Sequence, residues 1–73
     1  MKNYNEILRE LREDKDLKQE DLANILKCTK QAYGNYENKK RNLPIENLKT
    51  LCLFYNVSAD YILGLPELPY PKR

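Results

Sequence analysis

The segment Lys18–Glu37, KQEDLANILKCTKQAYGNYE, predicts two short helices separated by a tight turn. The first helix, Gln19–Leu26, has one apolar stripe at helical spacing, formed by Leu22, Ala23 and Leu26. Ala23 is small enough for another helix to pack closely against it. Thr29 is suited to cap the second helix, which we place at Lys30–Glu37. The segment therefore predicts a helix-turn-helix arrangement.

The second helix has two chemically different faces when its residues are placed at intervals of about 100°. The residues on the inward face are Ala32, Tyr33 and Tyr36. The outward face suits the edges of DNA bases, because Gln and Asn amides pair with adenine and Lys donates to guanine. At the start of the helix, the Thr29 methyl group can meet a thymine methyl group. The predicted base-contacting residues are therefore Thr29, Lys30, Gln31, Gly34 and Asn35.

Four segments resemble the phage repressor and Cro family of helix-turn-helix DNA-binding domains, also called the XRE family, and they span nearly the whole chain. They are LRELRED (Leu8–Asp14), LKQEDLA (Leu17–Ala23), TKQAYGNYEN (Thr29–Asn38) and VSADYILG (Val57–Gly64). The resemblance implies an all-α, lambda-repressor-like domain of five helices with the helix-turn-helix at the second and third. It also implies that the third helix enters the major groove of operator DNA, usually in a symmetric dimer.

Length and composition indicate one small helical domain. The chain has 73 residues, of which 33% are charged and 41% are hydrophobic, so it can form a modest core and is not typical of a disordered chain. We divide it into a DNA-binding domain at 1–64 and a proline-rich tail at 65–73. It contains neither a signal-like amino terminus nor an apolar run of about 18 residues, which predicts a cytoplasmic protein without a membrane span.

Positive charge concentrates on the third helix and the loop after it. Residues 1–26 hold five basic and seven acidic side chains, residues 27–49 hold six and two, and residues 50–73 hold two of each. A basic run such as NKKRNL, at 38–43, is often only a solvated surface, but its position directly after the third helix favours phosphate binding. The resemblance implies a phosphate contact and a bracing role for Gln19, beside the amide groups at the start of its helix. The predicted phosphate-contacting residues are Lys18, Gln19, Lys27, Asn38, Lys39, Lys40 and Arg41.

The resemblance also implies a partly buried ion pair between Arg12, on the first helix, and Glu37, at the end of the third. The alternative is a solvated arginine, which is the interpretation that we give to Arg9.

The chain departs from the family pattern at positions where glycine is usual. Asp16, Lys27 and Lys39 stand where the family often bends the chain through left-handed conformations. Lysine adopts that geometry at a cost of about 1 kcal/mol, unless Asn38 takes the left-handed position near Lys39. Conversely, Gly34 lies inside a helix, at a cost of about 1 kcal/mol relative to Ala. Either the helix backbone approaches base edges there, or the glycine is a neutral substitution.

The resemblance implies that the end of the chain, from the fourth helix into the tail, carries much of the dimer contact. Asn3 is expected to cap the first helix, and Ser58 and Gly64 to bound the fifth.

The predicted buried residues of the fourth and fifth helices are Ile45, Leu48, Leu51, Cys52, Tyr55, Val57, Ile62 and Leu63. Leu53 and Phe54 lie outside the buried stripe of the fourth helix, which indicates either a partner surface or partial burial. The candidate dimer-surface residues are Leu53, Phe54, Leu65, Leu68 and Tyr70.

No pattern in the chain predicts catalysis, a cofactor or a small-molecule ligand. With no His and only two Cys, Cys28 and Cys52, a metal site lacks ligands, and we expect both thiols to be small buried apolar groups. We therefore predict a non-enzymatic, sequence-specific regulator that binds double-stranded DNA as a homodimer and represses by occupying an operator. The alternative is a protein-interaction module on the same scaffold, such as an antitoxin or anti-repressor. The polar-to-basic outward face of the third helix favours DNA.

Overall fold

Five helices account for the fold in the computed structural model, which describes residues 2–65. They are α1 (Tyr4–Asp14), α2 (Gln19–Leu26), α3 (Lys30–Glu37), α4 (Ile45–Tyr55) and α5 (Ala59–Leu63). The described part of the chain contains no strand. The predicted all-α architecture is confirmed, and so are the predicted limits of α2 and α3. No helix within residues 2–65 is long and apolar enough to span a membrane.

Short-range hydrogen bonds set the starts of two helices where the sequence predicted them. The Thr29 hydroxyl accepts from the Ala32 amide at 3.0 Å, and the Ser58 hydroxyl accepts from the Tyr61 amide at 3.1 Å. Asn3 occupies the cap position of α1 but makes no side-chain capping bond. Gly64 ends α5 with φ of 73°, where an added Cβ would lie 2.2 Å from the carbonyl oxygen of Lys2. Glycine is therefore required there.

Non-glycine residues occupy left-handed turns between the helices. Asp16, Lys27 and Lys39 have φ of 59°, 57° and 63°, as their positions in the sequence predicted, and Asn56 adds a fourth such turn at 57°. Asn38 keeps a negative φ of −98°, so it does not relieve Lys39 of the strained conformation. A side chain with a Cβ is disfavoured in this region, and each lysine turn therefore lowers stability by about 1 kcal/mol.

The core lies where all five helices meet. Each helix contributes one fully buried apolar residue to it: Leu8, Leu22, Tyr33, Leu51 and Ile62. Ala23 is 2% exposed, and its small side chain allows α3 to pack closely on α2.

Three expectations about burial are wrong. Ile45 is 80% exposed. Further along the same stripe of α4, Leu48 is half-buried and Leu51 is fully buried. The start of α4 therefore projects beyond the neighbouring helices. Leu63, the last residue of α5, is 41% exposed. The cysteine thiols, at the edge of the core, are free and only partly buried.

Candidate nucleic-acid interface

A buried carboxylate holds α3 from its inner side. The Glu37 side chain is 0% exposed, and the Arg12 side chain is 13% exposed. Arg12 Nε donates to Glu37 Oε2 at 2.8 Å, and Arg12 Nη2 donates to Glu37 Oε1 at 3.1 Å. Gln19 Nε2 donates to Glu37 Oε1 at 3.2 Å. One carboxylate therefore connects side chains from α1, α2 and α3, and we call Arg12, Gln19 and Glu37 the ionic junction.

Residues of α1 that the sequence reasoning missed support the ionic junction. Asn5 Nδ2 donates to the backbone carbonyl of Glu37 at 3.4 Å, and Arg9 Nε lies 3.8 Å from Glu37 Oε1. Arg9 was predicted to be a solvated surface residue, and its side chain is 52% exposed, so its approach to Glu37 adds to that expectation without replacing it. Because Asn5, Arg9 and Arg12 follow one another at helical spacing, they share a face of α1. That spacing is the sequence signal that could have identified them.

The polar contacts of the ionic junction keep its carboxylate ionised. Burial alone would raise the pKa of Glu37, but the hydrogen bonds from Arg12 and Gln19 favour the charged form, and the pKa is lowered. The same hydrogen bond to Glu37 raises the pKa of Arg12. A third bond, from Arg12 Nη1 to the carbonyl oxygen of Leu17 at 3.0 Å, ties the guanidinium to the turn before α2.

The outer side of α3 forms a concave surface that brings together predicted base-contacting and phosphate-contacting residues. The volume of this concavity is about 520 Å³. Its lining residues are Gln19, Lys30, Gln31, Gly34, Asn35, Asn38 and Lys40. Lys30 and Gln31 are exposed, and Asn35 is half-buried. Amide and ammonium groups thus project from one side of a helix, next to a basic loop.

A second concavity, of about 310 Å³, lies along the other edge of α3. Its lining residues are Thr29, Gln31, Ala32, Asn35, Tyr36 and Arg41. Gln31 and Asn35 therefore border both concavities. Tyr36 was assigned to the inward face; it does pack against the core, but it is only half-buried and also lines this concavity beside Arg41. Tyr36 thus lies at the boundary between the two faces of α3, which helical spacing alone does not resolve.

Gly34 lines the outer concavity but is not exposed there, contrary to the prediction. It is buried, and the Gln19 side chain lies over it. Its exposure was overestimated because a side chain from α2 covers this part of α3, which the spacing within α3 does not reveal.

The predicted phosphate-contacting side chains are exposed except for that of Gln19, which is half-buried. Lys18, Lys27 and Lys39 line neither concavity on the outer side of α3. The Lys18 amide, expected to contribute to an anion site, instead donates to Asp21 Oδ2 at 2.8 Å. An acidic side chain thus already occupies the amino terminus of α2.

Residues 8–62 match the family model described as Helix-turn-helix. The chain belongs to this XRE-type family of helix-turn-helix domains. The family is one of DNA-binding transcriptional regulators, which are not enzymes.

Two curated relatives are similar to nearly the whole chain. The HTH-type transcriptional regulator YobD of Bacillus subtilis is 42% identical over 69 residues, which is 94% of this chain and 62% of the relative. The HTH-type transcriptional activator BcrR of Enterococcus faecalis is 37% identical over 65 residues, which is 89% of this chain and 32% of the relative. The chain thus spans less than two thirds of the length of either relative.

A solved structure has the same fold. The crystal structure of a transcriptional regulator from Listeria innocua superposes with a TM-score of 0.85, covering 96% of this chain and 65% of that protein. The two sequences are 21% identical, so the likeness establishes the fold alone.

Proposed function

We propose that this chain is a sequence-specific DNA-binding transcriptional regulator that inserts α3 into the major groove of an operator. The observation that carries the proposal is the concave outer side of α3, where Lys30, Gln31 and Asn35 lie beside the basic loop. A major groove admits a helix, and amide and ammonium groups match the hydrogen-bonding groups of its base edges. The ionic junction supports the proposal because it fixes the opposite side of the same helix.

Base contacts and phosphate contacts fall to different residues in this proposal. Gln31 and Asn35 supply amides that pair with adenine, Lys30 donates to guanine, and the Thr29 methyl group packs on thymine. Thr29 uses its hydroxyl oxygen to cap α3, which leaves the methyl group for this contact. Tyr36, beside Arg41, adds an aromatic side chain at the edge of the same surface.

The phosphate contacts come from the residues around α3. Lys39, Lys40 and Arg41 are exposed in the loop after it, and Lys27 is exposed in the turn before it. Lys18, Gln19 and Asn38 complete the set. Such contacts position a protein on DNA and supply affinity that falls as salt rises, without selecting a sequence.

We propose further that two copies bind together through α4. Three of the predicted dimer-surface residues are exposed: Leu53 by 79%, Phe54 by 39% and Leu65 by 45%. Ile45, at the start of α4, is also exposed, by 80%. An apolar depression of about 460 Å³ lies on this side, lined by Ile45, Leu48, Lys49, Cys52, Leu53, Val57, Ser58 and Ala59. Exposed apolar surface of this kind is typical of a protein interface. Leu68 and Tyr70, also predicted for the dimer surface, lie outside the described residues.

The direction of regulation follows from where the operator lies. A regulator that occupies a promoter excludes the polymerase, and we propose repression on that basis. The Enterococcus faecalis relative is named an activator. A reporter placed behind the selected operator decides between the two: reduced expression in the presence of the chain supports repression, and increased expression contradicts it.

Selection from a pool of randomised duplexes tests DNA binding and dimerisation together. At about 0.1–0.2 M salt, where non-specific attraction is weakened, we expect enrichment of a palindrome with half-sites one helical turn apart. Leu53→Glu should reduce the enriched site to a single half-site, whereas the exposed-residue control Asn24→Ala should leave it unchanged. Folded protein that enriches no sequence would contradict the proposal and favour a protein partner.

A further inference from the structure

Gly34 is a glycine in the interior of α3 that lies under the side chain of Gln19. A Cβ added at Gly34 would lie 3.2 Å from Gln19 Oε1 and 3.8 Å from Gln19 Cδ. The first distance is shorter than ordinary van der Waals contact between carbon and oxygen. The end of the Gln19 side chain would therefore have to shift by a few tenths of an ångström if residue 34 carried even a methyl group.

Gln19 has little freedom to move while its other contact persists. Its Nε2 donates to Glu37 Oε1 at 3.2 Å, so the amide is held between Gly34 and the Glu37 carboxylate. Gln19 is also the first residue of α2, and Glu37 is the last residue of α3. The missing side chain at residue 34 thus lets one end of α2 attach directly to the far end of α3.

We propose that Gly34 is a positioning residue for DNA recognition, because it provides the space in which Gln19 holds the start of α2 against α3. The phosphate-contacting end of α2 and the base-contacting side of α3 then keep a fixed separation. A glycine here lowers helix stability relative to alanine. Gly34 therefore lowers the stability of α3 but leaves room for the Gln19 contact. This role rests on the proposed function, because it assigns a purpose to the geometry of the DNA-binding surface.

A double-mutant cycle in thermal unfolding tests the contact without DNA. In a Gln19→Ala background, Gly34→Ala should raise Tm by about 4–8 °C, because alanine is the better helix former and meets no close neighbour. In the native background the rise should be less than half as large, because the added methyl group displaces Gln19. Equal rises in the two backgrounds would overturn the proposal.

The same four proteins, bound to the selected operator, test the positioning role. With Gln19 present, Gly34→Ala should weaken binding by about 3–10-fold, equivalent to one hydrogen bond, even though Tm does not fall. With Gln19→Ala, the further change Gly34→Ala should alter affinity by less than about twofold. An equal loss of affinity in both backgrounds would show that the methyl group clashes with DNA directly, and would overturn the role assigned to Gln19.

A matched control separates helix stability from DNA binding. Asn24→Ala changes an exposed residue of α2 and should raise Tm without altering affinity. Undiminished operator binding by Gly34→Ala would overturn the positioning role even if the thermal cycle shows coupling. If the native chain bound no duplex, the proposed function would fail together with this role, while the thermal cycle would still measure the contact between the two residues.

Discussion

The two sides of α3 differ in how the protein holds their polar groups. On the inner side, the Glu37 carboxylate is 0% exposed and accepts hydrogen bonds from two other helices. On the outer side, the Gln31 amide is exposed and Asn35 is half-buried between two concavities. The polar groups on the inner side have hydrogen-bond partners within the fold, whereas those on the outer side are accessible to a binding partner.

This difference separates stability from recognition within eight residues. A change on the inner side leaves a charge buried without its partner, so it should destabilise the fold before it affects DNA contacts. A change on the outer side removes a group that makes no essential contact within the fold, so it should affect recognition alone.

The largest effect is expected from Glu37→Gln. This variant removes the negative charge while leaving Arg12 largely buried, and it should lower the free energy of unfolding by about 3–5 kcal/mol. Urea denaturation at neutral pH measures the loss, and Glu46→Gln, at an exposed site on α4, is the matched control. A loss below about 1 kcal/mol would be within the range of surface ion pairs and would contradict the importance of the ionic junction.

The stability of the native chain relative to Glu37→Gln should also depend on pH. Because folding lowers the pKa of Glu37, the ionised carboxylate stabilises the protein fully above the ordinary glutamate pKa of about 4.3. The advantage of the native chain should therefore be constant near neutral pH and shrink as pH falls through the folded pKa. A difference that stays the same throughout acid titration would show that Glu37 acts through its shape and not its charge.

A smaller, stabilising effect is expected from Lys39→Gly. Lys39 has φ of 63°, and glycine should relieve this strain and raise the free energy of unfolding by about 1 kcal/mol. Lys40→Gly is the control, because Lys40 is not among the residues with positive φ and gains no such relief. Thermal unfolding compares the two variants. If Lys39→Gly proves no more stable than Lys40→Gly, the turn is not strained.

The smallest effect is expected from Tyr55→Phe. The buried Tyr55 hydroxyl has no hydrogen-bond partner within residues 2–65, so its removal should stabilise the protein by about 0.5–1 kcal/mol. Burial raises the pKa of Tyr55 to about 12, so the native chain should lose stability as pH rises from about 10 towards that value. Tyr55→Phe should reduce this alkaline loss, and Tyr61→Phe, at an exposed site, should not.

Local chemistry explains what the sequence predicted well. The Thr29 and Ser58 caps depend on hydrogen bonds across three residues, and the limits of α2 and α3 follow from such signals. The left-handed turn at Lys39 was recognised because the family often has glycine at that position. These features need no information about the rest of the fold.

The errors arose where distant parts of the chain decide burial. Helical spacing assigned Ile45 to a buried stripe, but no element covers that end of α4 among the described residues. Gly34 was assigned to the open face, but Gln19, from another helix, covers it. Arg9 is exposed, as expected, but the spacing within α1 did not show that its Nε approaches Glu37. Spacing identifies a face of a helix, and only packing shows what lies opposite that face.

The base-contacting role of the outer side of α3 is tested most directly by comparing Gln31→Ala with Lys40→Ala on the selected operator and on random DNA. Gln31→Ala should weaken operator binding by about 1–3 kcal/mol, mainly at one base pair, while leaving random DNA and the unfolding midpoint unchanged. Lys40→Ala should weaken binding to both DNAs alike and reduce the salt dependence. If Gln31→Ala weakened both DNAs equally, or unfolded the domain, the outer side of α3 would not be the base-contacting surface.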